Sequence, residues 1–334
     1  MNDPSHGGDN HLSDIISLPD DDNDDTHTTT TAATTTSKRA RGTTGGPAAA
    51  KTPKVACCGL CESRTCGKGK KCPHYAEFHK PDPPEPDLYV NVGEVLGVMD
   101  AEFGFPVAGM GPTLNELGLC DTTWRGDEWT MPASTSSEFN MVAGSEYETL
   151  TTYTAKLSGG TLAAAASIST HTGKDIINDF ITHTGARNIE HIVGHSALTA
   201  DMGVVAQRSD ALGIKFIDGL EKNKVKGIID SMRIVDKYNI STLQRQSGRK
   251  KSLKQEDIFM LATGGKNMKQ MGWTAHRALD DAKAERHWLT ALPEFSDMFF
   301  GAEKVKCSIS LPAFRKYHEQ YQKHREFKRS LAGP

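Results

Sequence analysis

The chain has 334 residues, 37% hydrophobic and 24% charged, with a formal net charge of −3. That length suits one large domain or two with tails, and the near-neutral balance excludes binding nucleic acid through overall charge, so any such contact must be local. No apolar run approaches the ~18 residues of a membrane-spanning helix, and the N-terminus lacks a basic start followed by an apolar stretch, so the sequence reads as intracellular, in cytoplasm or nucleus, with no membrane partner.

Residues 1–53 read as a disordered tail, with an acidic run (Asp20 to Asp25), a threonine-rich tract and Gly/Pro/Ala filler. Such a composition cannot bury enough apolar surface to offset chain entropy. Lys38-Arg39-Ala40-Arg41 within it is a basic cluster compatible with nuclear import. Residues 54–80 form a Cys/His segment that holds five of the seven cysteines, from Cys57 to Cys72. Cys58-Gly59-Leu60-Cys61 has zinc-knuckle spacing, and thiolates with imidazoles at this density suit one tetrahedral Zn²⁺. The candidate ligands are Cys58, Cys61, Cys66 and Cys72, or His74 in place of one of them. The same stretch is basic, with Lys68-Gly69-Lys70-Lys71 able to meet phosphates. A Pro-rich linker at 81–87 should be extended and stiff.

From 88 to 300 strands and helices alternate, which implies a sheet covered by helices. Strands are expected over 92–105, 112–121, 146–158, 190–196 and 214–220, from β-branched and apolar runs punctuated by glycine. Helices are expected over 173–186, 197–213, 225–238, 252–263 and 276–292. Residues 301–334 read as a basic C-terminal helix or tail. Its aromatics Phe314, Tyr317, Tyr321 and Phe327 are either a stacking surface for nucleic acid or the packed face of an amphipathic helix.

Asp100 and Glu102 lie two apart on the first strand, so both carboxylates project to one side. Paired negative charge at the end of a buried strand is costly without cations. Asp201 follows the strand over 190–196. A helix beginning near Ala278 places Asp281 on its first turn, with His276 on the loop before it. Three acidic segments at element ends, with a histidine beside the last, make a reasonable two-metal design. Two hard cations about 4 Å apart can activate water and clamp a leaving oxygen in phosphodiester hydrolysis. A neutral imidazole can take the proton from that water.

Val98-Met99-Asp100-Ala101-Glu102 resembles the first motif of the DEDDh 3′-to-5′ exonucleases, an apolar strand ending in Asp-x-Glu. Leu114 to Gly118 resembles that group's second strand, Ile192-Val193-Gly194-His195 with Asp201-Met202 its second motif, and Phe216 to Leu220 the strand after it. His276-Arg277-Ala278-Leu279-Asp280-Asp281-Ala282 is close to the third motif, His-x-Ala-Leu-x-Asp-Ala. The resemblance covers about residues 93 to 295. It implies an RNase H-like five-stranded mixed sheet flanked by helices. It also implies two Mg²⁺ or Mn²⁺ held by Asp100, Glu102, Asp201 and Asp281, His276 as general base, and RNA or DNA with a 3′ end as partner. Two departures stand out: Asp201 falls six residues after His195 where five is usual, with Asp210 as the alternative ligand. Phe103-Gly104-Phe105 replaces the usual threonines after Glu102, offering aromatics either to a terminal base or to the core. The alternative function is an inactive chain of this fold that binds nucleic acid.

Overall fold

The computed structural model describes residues 80–104, 112–132, 137–144, 160–237 and 254–332, with side chains as far as 327. The Cys/His segment and the strand expected over 146–158 lie outside these residues, as does Phe105.

The first two strands are β1 (Val95–Gly104) and β2 (Thr113–Trp124), followed by β3 (Trp129–Thr130) and β4 (Glu138–Val142). Helices α1 (Thr161–Ile168) and α2 (Gly173–Ala186) lead to β5 (His191–Gly194). Next come α3 (Asp201–Ala211), α4 (Phe216–Lys222), β6 (Gly227–Asp230) and α5 (Ser231–Lys237). The chain continues through α6 (Gln255–Ala262), a 3-10 turn at Met268–Met271, α7 (Ala278–Ala291) and α8 (Pro293–Phe300), and closes with β7 (Ile309–Ser310) and α9 (Leu311–Ala332).

The strands form one mixed sheet in the order β3-β2-β1-β5-β6-β7, with β4 also paired to β2. β2 runs antiparallel to β1, whereas β5 and β6 run parallel to it. β4-β2-β1-β5-β6 is the five-stranded arrangement expected of an RNase H-like sheet, and β3 and β7 add two residues each at its edges. β1 sits at the centre, so alternate side chains enter different cores. Met99 and Ala101 join Phe180, Val205, Phe216 and Phe314 on one face. Leu96 and Val98 join Ile229, Phe259, Trp288 and Phe295 on the other. Asp100 and Glu102 continue the Leu96–Val98 row, so the strand period itself aims both carboxylates at the α7 side.

A local signal explains the start of α2. Thr172 caps α2, with its Oγ1 accepting from the Asp175 N–H at 3.1 Å and Asp175 accepting in return from the Thr172 N–H at 2.8 Å. Two expectations fail for identifiable reasons. Residues 216–222 form α4, not a strand, because Phe216, Ile217 and Leu220 are buried together, a helical spacing that strand alternation would split. The next strand is instead β6, which the sequence reading had absorbed into a helix over 225–238. Gly-Ile-Ile-Asp is too short to show a period of its own before Ile234 and Val235 continue in helical spacing.

The C-terminal stretch is a helix that packs on the sheet. Phe314 and Tyr317 are buried in the first core, and Tyr321 packs against it. Arg315 pairs with Asp218 at 2.7 Å and Glu221 at 3.0 Å, so this basic residue is engaged within the domain. The linker is also tied down: Pro84 accepts from Arg233 at 2.7 Å, and Asp87 accepts from the Ser310 N–H and hydroxyl.

Gly118 permits the closest approach between sheet and helix. A Cβ there would lie 2.2 Å from the Leu279 N and 2.4 Å from the Ala278 carbonyl carbon, both backbone atoms of the first turn of α7. Gly118→Ala should therefore lift that turn off β2 and cost about 1–3 kcal/mol, the range for overpacking. Urea unfolding checks this, and an unchanged midpoint would contradict the close approach.

Candidate active site

Four acidic residues and one histidine from β1, α3 and the start of α7 approach one another at the carboxyl-terminal end of β1. Asp100 stands opposite Gly118 in the β1–β2 register, and Glu102 stands opposite Glu116, just before a bulge at Phe103. Opening the register beyond Glu102 lets the strand turn away once both carboxylates have been delivered. Phe103 itself is partly buried and packs against the first core.

Asp201 is the first residue of α3 and is only 3% exposed. Its carboxylate lies beside Gly194 at the end of β5, where a Cβ would come within 3.1 Å of Oδ2. Burial raises its pKa well above the ordinary carboxylate range, an effect that a hydrogen bond from the Ala101 backbone partly offsets. Among the described residues, Oδ2 has no hydrogen-bond partner. Asp210, the alternative ligand, is engaged elsewhere: it sits on α3 and accepts from His318 of α9 at 2.8 Å.

Asp281 and His276 are fixed by the start of α7. Glu116 is fully buried on β2 and receives Arg277 in a forked contact, with Nε at 3.0 and 3.1 Å and Nη2 at 2.8 Å. The Ala278 N–H donates to the same carboxylate at 3.1 Å, so Glu116 also satisfies a free N–H of the first helical turn. His276 then adopts φ 61°, a left-handed backbone that is uncommon outside glycine and tends to be kept at functional positions. Its N–H donates to Asp281 Oδ2 at 2.8 Å. Burial lowers the His276 pKa from its ordinary value, favouring neutral imidazole, and the Glu256 charge works against that shift.

One potential ligand atom from each of Glu102, His276 and Asp281 lies within 4.8 Å of the other two. Asp100 and Asp201 fall outside that triplet, but both are electrostatically part of the cluster. Burial raises Asp100 well above the usual range, followed by repulsion from Asp201, Asp281, Glu102 and Glu285. Burial and the neighbouring Glu116 push Glu102 to about 7, although Arg277 pulls it down. Burial and the Glu102 charge push Asp281 to about 8 against the hydrogen bond from His276. Among the described residues Arg277 is already committed to Glu116, so ionising the whole group calls for further positive charge. Carboxylate oxygens suit a hard divalent ion such as Mg²⁺ or Mn²⁺, and the unpartnered Asp201 oxygen fits such a role.

Three participants escaped the sequence reading. Glu285 lies one helical turn beyond Asp281, is 1% exposed, has an Oε1 without a hydrogen-bond partner among the described residues, and is raised well above the ordinary range by burial. The i, i+4 spacing from Asp281 was the available signal. Asp230 ends β6 and accepts from the Leu198 and Arg233 N–H groups at 3.3 and 3.2 Å. It was hidden by reading β6 as helix. Glu116 was noted only as part of a strand motif, and its pairing with Arg277 spans the two.

No family model and no curated protein matches the sequence. Solved nucleases are similar at low identity. Cell-death related nuclease 4 matches with TM-score 0.44 and 14% identity over 61% of this chain and 65% of that one. E. coli exonuclease I in complex with a dT13 oligonucleotide matches with TM-score 0.45 and 14% identity over 61% and 43%. A full-length 3′-exonuclease matches with TM-score 0.40 and 13% identity over 68% and 70%. The chain thus spans less than two thirds of the first of these nucleases and less than half of exonuclease I.

The electrostatics predict a pH signature for the metal-free protein. Glu102 at about 7 and Asp281 at about 8 lie above unfolded carboxyl values of ~4, so the folded state binds more protons between those limits. Stability in EDTA should therefore fall as pH rises from 5 to 8. Mg²⁺ should raise the melting temperature more at pH 8 than at pH 6. Calorimetry checks both, and an EDTA slope identical in wild type and Asp281→Asn would contradict the assignment.

Proposed function

We propose that the chain is a two-metal-ion 3′-to-5′ exonuclease, hydrolysing RNA or DNA from the 3′ end to release mononucleotides. The observation that carries the reading is the buried, mutually repelling group of Asp100, Glu102, Asp201 and Asp281, with a neutral-leaning His276 beside Glu102 and Asp281. A structural role does not account for so much buried like charge, because each added carboxylate weakens the others' ionisation.

In this reading the four carboxylates hold the ions and His276 acts as base. Bound divalent ions would polarise the attacking water and neutralise charge on the phosphate and leaving oxygen. Asp281 holds the backbone of His276 through the 2.8 Å hydrogen bond, leaving the imidazole free to accept the water's proton. The Glu116–Arg277 pair keeps both residues in register with Glu102. The DEDDh assignment draws further support from the order and content of the sequence motifs. The N-terminal Cys58, Cys61, Cys66, Cys72 and His74 set is proposed to hold one structural Zn²⁺ and, with its lysines, to help retain the strand.

His276→Ala should lower turnover by ~10²–10⁴-fold, the usual worth of a general base, with Mg²⁺ affinity largely retained. Asp281→Ala should weaken Mg²⁺ binding itself, and Asp100→Ala or Glu102→Ala should abolish nucleotide release. The assay is release from 3′-labelled and 5′-labelled RNA and DNA in Mg²⁺, Mn²⁺ or EDTA, paired with calorimetric metal titration. Activity that survives EDTA would refute the proposal, and equal loss of metal in His276→Ala and Asp281→Ala would overturn the division of roles.

A further inference from the structure

A cleft of about 610 Å³ opens between α6, the 3-10 turn and the segment that leads into His276. Its lining includes Phe259, Met260, Asn267, Met268, Lys269 and Trp273. Phe259 and Met268 are buried, Trp273 is partly exposed, and Met260 is 37% exposed. The aromatic wall is braced from behind. Trp273 and Phe259 lie 5.6 Å apart, and His287 of α7 meets them at 6.0 and 5.7 Å. The polar rim is equally fixed, because Asn267 and Gln270 form a reciprocal capping box around the turn that presents Lys269.

The cleft adjoins the element that carries Asp281: Gln255, next to the lining residue Glu256, donates from Nε2 to the Asp281 carbonyl at 2.8 Å. The cleft wall runs through Thr274 and Ala275, and the next residue is His276. The Thr274 N–H donates to Asp280 Oδ2 at 2.9 Å, which anchors the wall to the same helical turn that carries Asp281. Glu256, another lining residue, is close enough for its charge to act on both His276 and Asp281. A molecule in the cleft therefore lies beside the helical turn that carries Asp281.

We propose that this cleft binds the purine or pyrimidine base of a substrate nucleotide whose phosphate lies at the carboxylate cluster. The inference rests on the exonuclease reading and adds a base-holding subsite to it. A base has a π-face for the Trp273 wall and polar edges for Asn267 and Glu256, and Lys269 at the rim suits the strand's phosphates. The volume falls within the ~300–1,000 Å³ of small-ligand pockets. Stacking of this kind tolerates any base, so the cleft supplies affinity and alignment without strong sequence preference.

The test is a double-mutant cycle on binding, read by fluorescence anisotropy with Ca²⁺ in place of Mg²⁺, so that the phosphate contacts are kept while hydrolysis is suppressed. The probes are 5′-fluorescein decamers of dT and rU, intact or with a single abasic position at the 3′ terminus or next to it. Removing the base at one of these positions should weaken wild-type binding about tenfold, within the range for one base–aromatic stack. Trp273→Ala should weaken binding of the intact strand similarly, and the two losses should not add. Met260→Glu, on the exposed rim, should weaken binding without changing the melting temperature, separating an effect on the cleft from one on folding. Abasic strands that bind like intact ones, additive losses, or full affinity in Met260→Glu would overturn the cleft assignment. Absence of nucleotide release by the wild-type protein in Mg²⁺ would instead refute the exonuclease reading, a separate measurement from the coupling.

Discussion

The organising contact of this molecule is the buried Glu116 carboxylate, which grips the Arg277 guanidinium from two directions and caps the Ala278 N–H. A carboxylate at zero exposure is expensive unless its charge and lone pairs are answered, and this one is answered by a forked partner and a helix N-terminus. The result is a fixed joint between β2 and α7. Because Glu116 pairs in register with Glu102, fixing the joint also fixes where Asp281 and His276 stand relative to β1. Gly118, two residues along, removes the side chain that would hold the helix away.

Around that joint the protein gathers more negative charge than the cations among the described residues neutralise. Asp100, Glu102, Asp201 and Asp281 are all pushed toward the protonated form, with burial as the first cause and mutual repulsion adding to it in most of them. A sequence selected only for stability would replace some of these groups with apolar residues, as the row Leu96–Val98 leading to them shows is possible. Keeping acidic groups there lowers the stability of the metal-free protein, a cost that the proposed binding of divalent cations would offset. His276, held in a left-handed backbone by its bond to Asp281, belongs to the same pattern of strain retained near chemistry.

Much of this was legible in the sequence, and the failures share a cause. β1 announced itself through its apolar run and its Asp-x-Glu ending, and α2 through its Ile176–Phe180 spacing. The position of Asp281 followed from the start of α7 at Ala278. What could not be read were segments too short to display a period. The four residues of β6 were lost in a helical pattern, taking Asp230 with them, and α4 was misread because Phe216-Ile217 looks apolar enough for either structure. Glu116 and Arg277 are separated by 161 residues in sequence, and only the packed fold reveals that they meet. Glu285 was visible as an i+4 neighbour of Asp281, but nothing in the sequence says that it is buried.

Helix α7 joins these features into one rigid part. Asp281 and Glu285, one turn apart, are turned toward the carboxylates, whereas His287 braces Trp273 and Phe259 on the flank of the cleft. From Asp281 to His287 the helix advances about 9 Å at 1.5 Å per residue, so the two surfaces cannot drift apart without bending it. Its N-terminus is locked to Glu116, and its buried Trp288 is packed in the second core against Phe295. A ligand that touched both the cleft and the carboxylates would therefore meet a preset separation. Positioning of that kind costs nothing at the moment of reaction, because the fold has already fixed it.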